Sequence, residues 1–205
     1  MKKVAIVDYD AGNIYSVSRA VERCGGEPLV TYFSKDFEMA SSIILPGVGS
    51  FSEGMHNIHK RNLNVILTEQ VLERKTPFLG ICLGMQLLAT KGFEGGETDG
   101  LGWIKGEVRQ LKPDKPNVKL PHIGWNEVNF AKVSPLFEGI PSGKDFYFVH
   151  NFYFDCENKE EILAWVTYCN RFASVVAKEN IFGVQFHPEK SLQWGLKIIR
   201  NFLAL

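Results

Sequence analysis

The most constraining feature of this sequence is a Gly-x-Cys-x-Gly segment at positions 80–84. The apolar run before it predicts a strand, and the pattern of Leu83–Thr90 predicts a helix. A turn between two such elements forces its central residue, Cys82, into a strained backbone conformation that projects the side chain above the sheet edge. Gly80 and Gly84 suit this turn because side chains there would collide where strand and helix pass closely. The segment therefore predicts a nucleophile elbow.

Cys82 gains reactivity in such a position. A helix that begins at Leu83 brings unpaired N–H groups and the positive end of its dipole close to the sulfur, and both favour the nucleophilic thiolate. The N–H of Leu83 would also stabilise the oxyanion of a tetrahedral intermediate. Most unbonded cysteines are small core residues. That role is predicted for the other three cysteines, Cys24, Cys156 and Cys169.

The rest of the chain predicts one α/β domain over residues 1–205, with a flavodoxin-like, three-layer arrangement. In the first half, strands and helices alternate, which favours a mainly parallel central sheet. Beyond Gly92, turns separate most strand-like runs, which predicts antiparallel additions in the C-terminal half. Predicted strands cover 3–7, 28–32, 42–45, 77–81, 107–111, 125–130, 146–149, 162–166, 174–177 and 182–186. Predicted helices follow Asn13, cover 52–74 with a break near 61–62, and cover 83–90 and 194–205.

A cysteine nucleophile needs a base and a group that orients the base. His187 follows a predicted strand, and Pro188 biases it toward an extended backbone. In an extended segment Glu189 lies on the same side as His187, so its carboxylate can accept from one imidazole nitrogen while the other faces Cys82. His122 and His150 also follow apolar runs and are rival bases.

Charge and cysteine usage exclude several function classes. Lysine plus arginine and aspartate plus glutamate each total 23, so the neutral chain offers no electrostatic footprint for nucleic acid or an anionic membrane. The first apolar run ends at Asp8, too early for a signal peptide or a membrane span. Four cysteines without CxxC spacing indicate a cytoplasmic chain with reduced thiols. The histidines lack metal-ligand spacing, so neither metal nor cofactor is expected.

The elbow segment, followed by Gln86, and the distal Phe-His-Pro-Glu segment together resemble the class I (triad) glutamine amidotransferases. The resemblance covers residues 4–202. It implies that Cys82 forms a γ-glutamyl thioester with glutamine, that His187 acts as acid and base, and that Glu189 orients His187.

Within that class the chain most resembles the glutaminase subunit of imidazole glycerol phosphate synthase. The segments that carry this closer likeness are 8–13, 45–51, 121–126 and 147–153. The resemblance implies a heterodimer with a (β/α)₈-barrel cyclase. Ammonia from glutamine would pass to the cyclase, which makes imidazole glycerol phosphate and AICAR in histidine biosynthesis.

The Pro-Gly-Val-Gly turn has a physical rationale of its own. Gly47 and Gly49 flank Val48, so a peptide plane can flip at low cost and aim a backbone N–H at an oxyanion. From the residues alone, an ordinary strand-ending turn is equally consistent with this segment. The resemblance implies that the turn and Leu83 form the oxyanion site, that Gly49 and Gln86 contact glutamine, and that the partner governs the flip.

Four aromatic residues are candidates for an interface. By resemblance, His122 and His150 lie at or near the synthase interface and are structural rather than catalytic. Trp103 and Trp125 would suit apolar anchors, although a buried core position is the commoner role for tryptophan.

Three alternatives remain open. Asp10, Asn151 and the segment 93–103 depart from the histidine-pathway pattern, which leaves open a paralogue that supplies ammonia to a sugar amidotransferase in surface-glycan biosynthesis. A catalytically silent, partner-binding subunit is disfavoured because all three triad positions are filled. A free-standing thiol hydrolase would leave the segments 46–49 and 124–126 unexplained.

Overall fold

The computed structural model describes residues 1–113 and 118–205. Its helices are α1 Ile14–Arg23, α2 Ser34–Glu38, α3 Phe51–Lys60, α4 Leu63–Thr68, α5 Leu83–Gln86 and α6 Leu192–Ala204, with a π-helical turn over Glu69–Glu73. Its strands are β1 Lys3–Val7, β2 Glu27–Thr31, β3 Ser42–Leu45, β4 Phe78–Ile81, β5 Lys91–Gly92, β6 Thr98–Asp99, β7 Gly106–Gln110, β8 His122–Phe130, β9 Lys144–His150, β10 Phe152–Cys156, β11 Ile162–Tyr168, β12 Asn170–Lys178 and β13 Ile181–Val184.

Nine of these strands form one mixed sheet in the order β2-β1-β3-β4-β13-β12-β11-β8-β9. The first five are parallel to their neighbours, and the remaining neighbours pair antiparallel. The parallel part has the strand order of doubly wound flavodoxin-like folds. The predicted fold class, with antiparallel additions in the C-terminal half, is confirmed. A smaller sheet has the order β10-β7-β5-β6.

The central strands of the large sheet, β1, β3, β4 and β13, are buried on both faces. Successive side chains of a strand point to opposite faces, and β1 shows the result. Val4 and Ile6 pack in one apolar cluster with residues of α1 and α6, whereas Ala5 and Val7 pack in a second cluster with residues of α3, α4 and the smaller sheet. The fold thus has the three predicted layers, but one outer layer is partly sheet.

Three adjacent parallel strands, β3, β4 and β13, end at the same edge of the large sheet. Leu45 of β3 pairs with Gly80 of β4, and Gly80 pairs in turn with Gly183 of β13. The residues that follow these strands therefore emerge side by side. In open α/β sheets, ligands bind at the carboxyl ends of the parallel strands, so the candidate site lies here.

Some predicted elements differ from the structure in extent. The helix predicted over 83–90 is reduced to the single turn α5, after which the chain bends toward β5. The break expected near 61–62 is confirmed, because Asn62 adopts a left-handed conformation with φ of 56°. Asn13 occupies the N-cap position of α1, but its side chain makes no capping hydrogen bond.

Strand β10 was not predicted. It begins at Phe152, with a single residue between it and the end of β9 at His150, and pairs antiparallel with β7 in the smaller sheet. The chain thus passes from one sheet to the other at Asn151 alone. The sequence predicts a strand over 146–149 and none directly after it, because no turn sequence marks the start of a second strand.

The helices are short. The longest α-helix among the described residues, α6, has 13 residues, whereas about 20 are needed to span a bilayer. Over residues 1–113 and 118–205, no helix has the length and apolar character to cross a membrane.

Candidate active site

Cys82 stands on the strained turn that the sequence predicts. Its φ and ψ are 54° and −107°, outside the regions that L-residues ordinarily occupy. A side chain at Gly84 would clash with the carbonyl oxygen of Leu45, and one at Gly80 would clash with the backbone of Gly84. The N–H of Cys82 donates to Val184 of the neighbouring strand at 2.8 Å. Close backbone packing on two sides therefore fixes the turn.

The sulfur of Cys82 is nearly buried and has two polar neighbours. The residue is 6% exposed. The side-chain nitrogen of Gln185 donates toward the sulfur at 3.7 Å, and the thiol lies 3.9 Å from the carbonyl oxygen of Val149. Because α5 is one turn long, the expected dipole of a longer helix is absent. The N–H groups of Leu83 and Gly84 have no acceptor within the turn, whereas those of Met85 and Gln86 donate to the carbonyl oxygen of Cys82.

His187 and Glu189 form a buried ion pair behind Cys82. Nδ1 of His187 lies 2.8 Å from Oε1 of Glu189, and the two side chains are 2% and 1% exposed. Burial lowers the pKa of His187, but the Cys82 sulfur and the Glu189 carboxylate outweigh burial and raise this pKa from 6.5 to about 10. The Nε2 atom makes no hydrogen bond to the described residues, although the ring is close enough to the sulfur for each to act on the other.

The backbone that brings His187 and Glu189 together differs from the prediction. His187 is extended, with φ of −97° and ψ of 96°, as the following proline predicts. The residues Pro188–Lys190, however, form a 3₁₀ turn rather than a continued strand. The predicted contact is present because the turn folds the carboxylate back onto the imidazole.

Removing either neighbour of His187 is expected to lower its pKa. We expect the pKa of His187 in Cys82→Ala and in Glu189→Gln to fall below the wild-type value of about 10, because each change removes a neighbour that favours imidazolium. Titration of the ring by NMR measures this. Since the folded-state pKa is raised, protonated His187 stabilises the fold fully below about pH 6.5, and this contribution is lost as the pH rises toward about 10. An unchanged pKa in both variants would contradict the assigned contacts.

The turn 46–49 follows β3 beside the elbow. The hydroxyl of Tyr9 donates to the carbonyl oxygen of Pro46 at 2.7 Å, and burial, with a smaller effect of Cys82, raises the pKa of Tyr9 beyond its usual range. A side chain at Gly47 would clash with that hydroxyl and with Leu83. The first half of the turn is thus fixed. The second half is open, since Val48 is 43% exposed.

A cavity of about 210 Å³ opens beside the Cys82 sulfur. It is smaller than the roughly 300–1,000 Å³ of sites for drug-sized ligands, which suits an amino acid. Five residues predicted for the site line it: Val48, Gly49, Cys82, Leu83 and Gln86. The other lining residues are Glu94, Val149, His150, Asn151 and Phe152. Gly47, His187 and Glu189 lie outside the lining.

Comparison with known proteins agrees with this geometry. The family model for glutamine amidotransferase class-I matches residues 5–205. The chain belongs to the class-I glutamine amidotransferases. Among solved structures, that of PurLQS from Thermotoga maritima matches with a TM-score of 0.74 and 20% identity, over 100% of this chain and 99% of that one. At this identity the match supports the fold alone.

Three relatives, from two organisms, are closer in sequence. The amidotransferase is 46% identical to imidazole glycerol phosphate synthase subunit HisH 1 of Campylobacter jejuni, over 98% of this chain and 100% of the relative. In Methanococcus maripaludis, subunits HisH 1 and HisH 2 are 44% and 43% identical to it, each over 98% of this chain and over 99% and 98% of their own lengths.

His122 and His150, the rival bases of the amidotransferase, are hydrogen-bonded to each other. Nδ1 of His150 lies 2.8 Å from the carbonyl oxygen of Phe152, so it must carry a proton, and Nε2 then accepts from Nδ1 of His122 at 3.1 Å. Nε2 of His122 in turn faces the amide of Asn126 at 3.3 Å. Burial lowers the pKa of His122 to about 4 and, with the charge of His122, that of His150 to about 3. Both rings are uncharged at neutral pH, and neither has a free nitrogen for Cys82.

The two tryptophans of interest lie in different settings. Trp103 is 5% exposed and packs edge-on against Phe78, so its expected core position is confirmed. Trp125 is 49% exposed on β8, beside Ile123 at 59%, so a core position is wrong for it. Ile123 and Trp125 thus form an exposed apolar patch on the outer face of β8.

Two polar residues of the cavity, Glu94 and Asn151, were not predicted as site residues of the amidotransferase. Glu94 lies on a loop, and its Oε2 accepts from the N–H of Phe51 at 2.8 Å. Asn151 connects β9 to β10, and its buried Oδ1 has no hydrogen-bond partner among the described residues. A glutamate in a glycine-rich loop and an asparagine between strands carry no sequence signal for a site. The tertiary fold alone brings them to the cavity.

Proposed function

We propose that the chain is the glutaminase subunit of an imidazole glycerol phosphate synthase. It hydrolyses glutamine through a thioester on Cys82 and delivers ammonia to a (β/α)₈-barrel cyclase subunit, which makes imidazole glycerol phosphate and AICAR in histidine biosynthesis. The observation that carries the chemistry is the buried pair of His187 and Glu189 adjacent to a cysteine that lines an amino-acid-sized cavity. The identity to HisH subunits supports the pathway.

In the first half of the reaction, the Cys82 thiolate attacks the side-chain carbonyl carbon of glutamine. The carbonyl oxygen becomes an oxyanion, which the N–H groups of Leu83 and of Val48 or Gly49 stabilise. The intermediate collapses, the carbon–nitrogen bond breaks, and protonated His187 gives its proton to the departing nitrogen. Ammonia leaves, and a γ-glutamyl thioester remains on Cys82.

In the second half, water attacks the thioester. His187, now neutral, accepts a proton from the water as the new carbon–oxygen bond forms. The carbon–sulfur bond breaks, which releases glutamate and restores the thiolate. Glu189 stays ionised throughout and stabilises the imidazolium that exists before and after the cycle.

The polar groups of the cavity suit glutamine as the substrate. Glu94 and the unpartnered Oδ1 of Asn151 are acceptors, which would bind the α-ammonium group of an amino acid. Gln86 uses its amide nitrogen for bonds within the protein, to Phe152 at 2.8 Å and Gln185 at 3.1 Å. Its carbonyl oxygen remains to accept from the substrate.

A partner is required by the chemistry of the product. Ammonia released into neutral water is protonated, and ammonium is not a nucleophile, so the ammonia must pass directly into a second site that excludes water. The open apolar face at Trp125 and Ile123 suits an interface with the cyclase.

We also infer that residues 1–205 act as one domain, because the large sheet includes both the first strand, β1, and the last strand, β13.

A second candidate keeps the chemistry and changes the acceptor of ammonia. The two numbered subunits of Methanococcus maripaludis are almost equally similar to this chain, so one organism can carry duplicated subunits. Such a paralogue would supply ammonia to a sugar amidotransferase in surface-glycan biosynthesis.

The two candidates predict different genetics. We expect the wild-type chain, co-expressed with a cyclase from its own genome, to rescue a histidine auxotroph that lacks the glutaminase subunit, and we expect Cys82→Ala not to rescue it. Adding the purified cyclase should raise glutaminase activity, within the roughly 5- to 150-fold range typical of coupling between sites. Partner-dependent glutaminase activity without rescue would favour the sugar-pathway paralogue. Full activity without any partner would contradict both candidates.

A further inference from the structure

Gln185 is a buried polar residue for which the proposed mechanism has no role. It directly follows β13, is 0% exposed, and its backbone N–H donates to the carbonyl oxygen of Ser174 at 2.9 Å. A buried amide is costly unless it is hydrogen-bonded. The partners of its side chain should therefore explain why an amide occupies this position.

The neighbours of the Gln185 amide fix its orientation. The carbonyl oxygen of Phe152 can only accept, so the Gln86 atom 2.8 Å away must be the nitrogen Nε2. The same nitrogen lies 3.1 Å from the side chain of Gln185, which must therefore present its carbonyl oxygen. The amide nitrogen of Gln185 is left facing the sulfur of Cys82 at 3.7 Å.

The carbonyl oxygen of Phe152 is itself held from a second direction. Nδ1 of His150 donates to it at 2.8 Å. The chain of donors thus runs from a fixed backbone oxygen through Gln86 and Gln185 to the nucleophile, and reversing either amide would set two like groups against each other.

We propose that Gln185 is a positioning residue of the glutaminase site, whose side-chain N–H donates to the Cys82 thiolate while its carbonyl oxygen holds Gln86 at the cavity wall. The inference rests on the proposed function. A hydrogen bond to an anion is stronger than one to a neutral acceptor, so the contact favours thiolate over thiol. The thiol has a competing acceptor in Val149, at 3.9 Å. One buried side chain thus sets both the ionisation of the nucleophile and its spacing from Gln86.

The test is the pH profile for alkylation of Cys82 by iodoacetamide in the full chain, followed residue by residue by mass spectrometry. Gln185→Met is close in size but has no N–H, and we expect it to slow alkylation at pH 7 about tenfold and to shift the rise in rate to higher pH. Gln185→Glu keeps an acceptor for Gln86 but lacks the donor, so it should slow alkylation at least as much.

Ser174→Ala is the matched control. It removes a neighbouring buried hydroxyl that has no hydrogen-bond partner among the described residues, so the alkylation profile should not change. Alkylation of the buried Cys156 in the same samples reports any unfolding. A wild-type rate and pH profile in the folded Gln185 variants would overturn the inference.

The alkylation experiment needs neither glutamine nor a partner, so its outcome is separate from that of the proposed function. If the Gln185 variants alkylate more slowly as expected but the wild-type chain hydrolyses no glutamine with any partner, the proposed function is overturned. The hydrogen bond from Gln185 to the Cys82 sulfur would still be supported. A glutaminase whose alkylation is indifferent to Gln185 would do the reverse.

Discussion

Cys82→Ala is expected to lower kcat for glutamine hydrolysis by about 10⁴- to 10⁶-fold, because no other group can form the thioester. The change keeps the β-carbon and leaves the strained backbone unrelieved, so we expect the free energy of unfolding to stay within about 1 kcal/mol of wild type. Glutamate release in the complex with the partner measures the first effect, and urea denaturation measures the second.

Cys24→Ala is the natural control for this change. Cys24 is partly exposed at the end of α1, where its thiol donates to the carbonyl oxygen of Leu196 at 3.2 Å, and it does not line the cavity. We expect full activity from this variant. A Cys82→Ala enzyme that retained more than about one-hundredth of the wild-type rate would rule out a covalent mechanism on this residue, given the usual cost of losing a nucleophile.

His187→Ala is expected to lower kcat by about 10⁴-fold, since both proton transfers of the cycle would lose their donor and acceptor. The double variant with Cys82→Ala should be no slower than Cys82→Ala alone, because the two residues act as one unit. Additive losses in the double variant would show that His187 acts independently of the nucleophile.

Loss of the imidazole also leaves the Glu189 carboxylate buried without its partner, which destabilises folded proteins. The activity of His187→Ala is therefore compared with that of the same variant carrying Glu189→Gln, which removes the buried charge. His56→Ala, on the exposed side of α3, controls for loss of a histidine elsewhere. A folded enzyme of either composition with near-normal kcat would contradict the role of His187 as acid and base.

The parts of the site that the sequence predicts are those held by local backbone chemistry. The elbow is predictable because a glycine on each side of Cys82, Gly80 and Gly84, is expected only where backbones pack closely. The structure shows this packing, since a side chain at Gly84 would clash with Leu45. The contact of His187 with Glu189 is likewise local, although it comes from a 3₁₀ turn instead of an extended strip.

The parts that the sequence does not predict depend on distant segments. Glu94 reaches the cavity from a loop, Asn151 reaches it where the chain changes sheets, and Gln185 meets Gln86 from 99 residues away in sequence. Hydrophobic periodicity describes which face of a strand is buried. It carries no information about which polar side chains meet when strands far apart in sequence become neighbours.

The close packing of Gly84 against the backbone of Leu45 limits which part of the turn 46–49 can move. The elbow rests directly on the last residue of β3, so the sulfur is anchored to the same framework from which the turn 46–49 departs. Any rotation that swings the Val48 amide must pivot downstream of that anchor, where the chain is open to solvent. Movement of the turn amides would therefore leave the Cys82 sulfur in place. Rearrangement of the turn 46–49 would then be independent of bond formation at the sulfur.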